Sequence, residues 1–133
     1  IEIEDAYEKL VEQAERLSEE EERYVREGFD SEEELELFDL LKKDKLTKDE
    51  MKAVKKASKQ LLKTLREKKK ELFVYQWHKE EKKKEELRYE IREVLNKELP
   101  ESYNRSVFVK KNESVYAHIY HLAELGDSLY ASA

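Results

Sequence analysis

Cysteine is absent from the chain, glycine occurs twice and proline once. Without thiols there are no disulfides, no thiolate metal sites and no cysteine nucleophile, a usage that fits a reducing compartment. Gly28 and Gly126 are the whole glycine complement. A phosphate-cradling loop of the Walker type needs two glycines and a Lys-Ser/Thr pair at fixed spacing, so none is available. The same shortage of turn formers excludes an all-β fold built from many hairpins. No apolar run approaches the ~20 residues that a membrane span requires, and no signal-peptide pattern opens at Ile1. The cytoplasm is the expected location.

What the chain does have is charge. Of its 133 residues 45% are charged, with a net charge of -6, and 38% are hydrophobic, including eight Tyr, four Phe and one Trp. Heavy charge alone would suit disorder, but the low net charge and the periodic Leu, Ile and Val favour a folded bundle. The length suffices for one core and not for two. The expectation is therefore a single all-α domain over residues 1–133, a bundle of about six helices.

Tyr7, Leu10, Val11, Ala14 and Leu17 recur at helical spacing and predict a first helix over residues 3–17. Ser18 with Glu21, Ser31 with Glu34, and Thr47 with Glu50 each read as a capping box, in which hydroxyl and carboxylate satisfy free backbone N–H groups. They mark a short second helix ending near Gly28, a third carrying Leu35, Leu37, Phe38, Leu40 and Leu41, and a fourth over residues 48–69. The fourth presents Met51, Val54, Ser58, Leu61, Leu62 and Leu65 as its inner stripe. Residues 72–77, apolar and rich in β-formers, read as a short extended connector between the fourth and fifth helices. A fifth helix over 78–99 turns Leu87, Ile91, Val94 and Leu95 inward and stops before Pro100. A sixth over 106–125 carries Phe108, Val115, Ile119 and Leu122 and ends at Gly126. No repeat at a fixed period of 20–50 residues argues for a solenoid.

Charge is split along the chain. Residues 1–50 hold 8 Lys/Arg against 20 Asp/Glu, whereas residues 51–133 hold 19 against 13. Lys52, Lys55, Lys56, Lys59, Lys63 and Arg66 fall on one side of the fourth helix as a basic stripe. A solvated face partly neutralised by the acidic first helices accounts for such a stripe, and so does contact with DNA or with an acidic partner.

Chemistry-bearing constellations are scarce. His118, His121 and Glu124 are spaced three apart, a register that could align ligand atoms on one helix face. The neighbouring Tyr116 and Tyr120 favour a semi-buried polar rim instead. Trp77, among Phe73, Val74 and Tyr75, reads as a core anchor rather than a base-stacking platform. No grouping supports nucleophilic catalysis or a metal-dependent nuclease. The chain is expected to carry no catalytic, cofactor-binding or metal site.

The run from Glu27 to Leu41, with Gly28-Phe29-Asp30 followed by Ser31-Glu32-Glu33-Glu34, resembles a segment near the C-terminus of the R subunit of type I restriction-modification enzymes. Leu46-Thr47-Lys48, Val54-Lys55-Lys56 with Leu61-Leu62, Trp77 at the head of a charged helix, Leu99-Pro100-Glu101 with Tyr103, Val115-Tyr116 and His118-Ile119 are similar to that region in the same order. The likeness covers roughly residues 20–122. It departs at Gln76, where an acidic residue is expected before the tryptophan.

The resemblance implies a C-terminal piece of a larger subunit, a type I site-specific deoxyribonuclease with an ATP-driven DNA translocase. ATP and Mg²⁺ would serve only domains outside this chain. The helical region itself would dock the motor onto the methyltransferase core of modification and specificity subunits. The competing expectation is a domain contacting the DNA backbone through the basic stripe.

Overall fold

A computed structural model describes residues 23–126. The first expected helix and the Ser18/Glu21 capping box lie outside the described residues. The chain forms two compact units, residues 1–35 and residues 36–133. The fold is an all-α bundle of about six helices, and no strand occurs among the described residues. In order these are α1 (Glu32–Leu41), α2 (Lys48–Glu67), α3 (Lys69–Leu72), a 3₁₀ turn (Trp77–Lys79), α4 (Glu81–Glu98) and α5 (Arg105–Glu124).

In the first unit, residues 23–26 are helical and the helical stretch ends in a turn at Gly28, as expected. Gly28 has φ +86°. Its N–H donates to Val25 O at 3.0 Å, and the N–H of Phe29 donates to Tyr24 O at 2.8 Å. This pair of reversed bonds satisfies carbonyls at a helix end and requires a left-handed residue, which glycine adopts without penalty. Ser31 then caps the next start, Oγ accepting from Glu34 N at 3.4 Å. The Glu34 carboxylate reaches back one residue further than a capping box requires, accepting from Asp30 N at 3.1 Å.

In the second unit α4 packs against both α2 and α5. Its Leu87, Ile91 and Leu95 are fully buried, as are Val54, Leu61 and Leu65 of α2 and Val115 of α5. Ala57 joins this interior, and the one buried hydroxyl of α2, on Ser58, donates within its own helix to Lys55 O at 2.7 Å. The Thr47/Glu50 capping box forms in full, with Thr47 Oγ1 accepting from Glu50 N and Glu50 Oε1 accepting from Thr47 N, both at 3.1 Å.

Three boundaries differ from the sequence reading. The fourth expected helix breaks at Lys68 and resumes as α3. The connector is short and pairs with no strand, but its backbone is not extended. Leu72 ends α3, Phe73 has φ -103° and ψ 50°, and Gln76 is left-handed at φ 55°. Trp77, at the start of the 3₁₀ turn that follows, is buried at 6% exposure. The fifth helix begins at Glu81 rather than at His78, because the 3₁₀ turn precedes it. It ends at Glu98, and Leu99 is extended before Pro100, as the proline ring demands. Asn104, unremarked in the sequence, caps α5 by accepting from Val107 N at 2.9 Å.

Candidate interaction surface

The six stripe residues lie on α2 away from its buried side. At about 3.6 residues per turn they fall in a band roughly opposite Val54, Leu61 and Leu65, and from Lys52 to Arg66 the band runs ~21 Å. Lys52, Lys56, Lys63 and Arg66 are exposed, while Lys55 and Lys59 are half-buried. Lys55 Nζ sits 5.9 Å from the Phe38 ring centroid, a cation–π distance. Lys56 Nζ lies 3.7 Å from Glu98 Oε2, a loose pair solvated on the lysine side and largely covered on the glutamate side. The stripe is therefore a real ridge, with its two inner lysines lying closer to the body of the domain than the others.

The His118/His121/Glu124 set does not come together. His118 Nε2 lies 3.3 Å from Glu36 Oε2 of α1, whereas His121 and Glu124 are exposed. Among the described residues no group of three His, Asp or Glu is arranged to hold a metal ion. Trp77 meets Phe73, His78 and Tyr120 edge-on at 5.5, 6.0 and 6.4 Å, so its indole is used inside the domain. Tyr75, two residues earlier, is 89% exposed at the tip of the turn.

A polar latch holds the α4–α5 turn to the start of α2 and the end of α1. Ser102 Oγ donates to Glu50 Oε2, the Lys43 ammonium donates to Ser102 O at 2.9 Å, and the Tyr103 hydroxyl donates to Leu41 O at 2.7 Å. The Ser102 bond and the two Thr47 contacts hold the Glu50 carboxyl below its ordinary value. Burial, with the Glu50 charge nearby, pushes the Tyr103 phenol up to about 12. Lys111 adds a further tie, its Nζ donating to Lys42 O at 2.8 Å, and partial burial lowers its pKa.

The sequence reading missed a surface where α4 meets α5. Arg88 stacks 4.1 Å above the Tyr116 ring and pairs with Glu113 at 3.1 Å, and beside it run Arg92, Phe108 and Val109. Two of the exposed large apolar residues of the helices, Tyr89 and Val109, flank it at 51% exposure each. Each residue here looks ordinary within its own helix, and only the crossing of α4 and α5 brings them together. Among the described residues no helix is long and apolar enough to cross a membrane. Comparison with protein-family models, with curated proteins and with solved structures finds no match to this chain.

Proposed function

We propose that this chain is a non-catalytic assembly domain of a type I restriction enzyme's R subunit, docking the nuclease and translocase motor onto the methyltransferase core of modification and specificity subunits. One observation supports the reading above others. Many of the residues that carry the resemblance help hold this fold together: Thr47 caps α2, Leu61 and Leu62 fill its inner side, and Trp77 anchors the turn before α4. Pro100 follows the stop of α4, Tyr103 latches α1, and Val115, Tyr116 and Ile119 form the buried side of α5. A rigid helical module with a charged exterior suits docking, because charge steers association and orientation while a small apolar centre supplies affinity. The reading implies a cytoplasmic location, with ATP and Mg²⁺ used only by the parent subunit's other domains.

The test is deletion of this segment from the parent subunit. A separate helical bundle is removable without breaking another domain's core. Co-purification with the methyltransferase core and cleavage by the complex should be lost, while DNA-stimulated ATPase of the free motor persists. Undiminished co-purification would overturn the assembly role.

A second reading, contact with the DNA backbone, is favoured by the exposed Lys52, Lys56 and Lys63 on one ridge. It requires binding to random duplex that weakens with salt at a slope near -0.9 per phosphate contacted, and that Lys52→Glu, Lys56→Glu and Lys63→Glu together abolish.

A further inference from the structure

Between Leu61 and Leu72 the chain has no glycine, no proline and a single β-branched residue, Thr64. Such a run carries a helix straight through. The backbone nevertheless leaves the helix at Lys68, with φ -101° and ψ 12°, and resumes as the four-residue α3. The residue that ends α2 is therefore not in the left-handed conformation of a glycine stop. Among the described residues no side chain caps the start of α3. Beyond α3, Tyr75 stands 89% exposed and Gln76 is left-handed at φ 55°. Local preference and tertiary structure disagree repeatedly within residues 68–76, the pattern of a segment near the weak end of a fold's stability.

What fastens this segment comes from α4. Lys68 Nζ donates to Glu90 Oε1 at 2.7 Å, and Lys83 Nζ donates to Glu71 O at 2.7 Å. The first pair is half-covered, with 16% of the Glu90 side chain exposed against 43% for Lys68. Between these ties α3 does not lie flush on α4, because an open crevice of about 520 Å³ is lined by Glu71, Leu72, Tyr89 and Glu90. Two apolar pins complete the fastening. Leu72 is 3% exposed, and the Phe73 ring meets Trp77 edge-on at 5.5 Å.

We propose that residues 68–76 form a strap that opens as a unit about the Lys68 break, and that the two lysine ties to α4 set how often it opens. Opening lifts Phe73 from Trp77 and uncovers Leu72. The interior shared by α2, α4 and α5, with Val54, Leu87 and Val115 fully buried, stays closed. Ionic strength regulates the strap, since salt screens partly exposed charges while apolar burial persists. The strap needs no partner and is independent of the assembly role. Trp77 is the sole tryptophan of the chain, so its fluorescence reports this place alone.

The test compares the full chain with its double variant Glu90→Gln and Lys83→Met, which removes a charge from each tie and keeps side-chain length. Amide hydrogen exchange is followed at Glu71, Leu72 and Phe73, whose N–H groups donate to Lys68 O and Lys69 O. Leu61, Ile91 and Leu95 serve as interior references. The variant should speed exchange at the three strap amides by ~tenfold, the scale of one charge-assisted hydrogen bond, and leave the references within about twofold. Sodium chloride at ~1 M, where the Debye length is ~3 Å, should speed the unaltered strap towards the variant's rate. Acrylamide quenching of Trp77 should rise in step. Strap exchange unmoved by both salt and substitution overturns the strap. Equal acceleration of strap and references also overturns it, because opening is then global. Should the variant fail to fold, the salt series on the unaltered chain decides: acceleration confined to the strap supports it, and none overturns it.

Discussion

The Tyr103 hydroxyl, on the turn between α4 and α5, donates a 2.7 Å hydrogen bond to the last carbonyl of α1, that of Leu41, across 62 positions of sequence. It satisfies a carbonyl that α1 itself leaves free, in a place only 6% exposed at the tyrosine. Tyr103→Phe should therefore cost ~1–3 kcal/mol, the range for leaving one buried acceptor unpaired. The pH dependence has a definite sign. The folded chain holds the phenolic proton up to about 12, against an ordinary 10.0. The unfolded chain thus releases it first as pH rises, and the stabilisation present below pH 10 is lost towards pH 12. Denaturant unfolding of both proteins should show a gap that closes over this window; a gap independent of pH would show that the phenol does not titrate as buried.

The capping box at the start of α2 makes a prediction at the acid end. Thr47→Ala should cost ~0.5–2 kcal/mol. The Glu50 carboxyl is held below its ordinary value by Ser102 and Thr47, so its contribution is present above pH 4.5 and is lost as the pH falls through its lower folded value. Glu50→Gln should remove that part of the acid dependence, and a nuclear magnetic resonance titration should find the Glu50 midpoint below that of exposed glutamates. A midpoint equal to theirs would mean that the Ser102 latch is absent.

Leu62, 2% exposed, faces the interior beside Leu61 and Leu65. Leu62→Ala should cost ~2–5 kcal/mol, combining lost transfer energy and the cavity left behind. A loss below ~0.5 kcal/mol in thermal or denaturant unfolding, the range of surface substitutions, would contradict the burial of this side of α2.

Gln76 holds a left-handed conformation at φ 55° immediately before the 3₁₀ turn. A side chain in that region carries a penalty of roughly 1–2 kcal/mol that glycine avoids, partly offset by glycine's greater freedom when unfolded. Gln76→Gly should be neutral or raise stability by up to ~1 kcal/mol, whereas Gln76→Val should lower it. Clear destabilisation by glycine, read from the shift in unfolding midpoint, would contradict the turn.

What sequence alone made legible was local. Gly28, Thr47 with Glu50, and Pro100 announce helix ends because each acts within four residues, and the α2 stripe is visible because one helix carries all of it. The break at Lys68 and the turn at Gln76 were illegible, since no glycine or proline marks either. Asn104 escaped notice because no Glu stands three residues later to complete a capping box. The surface between α4 and α5 was invisible for a different reason. Arg88 and Tyr116 belong to separate helices and meet only where α4 and α5 cross.

Calorimetric titration of the chain into a reconstituted core of modification and specificity subunits tests the assembly role most directly. Saturable binding with Kd at or below ~1 μM, a size expected of a stable subunit contact, and displacement of the chain by the intact R subunit are the expected results. Absence of heat and of co-elution at concentrations tenfold above that value, from a chain that circular dichroism shows to be folded, would contradict it.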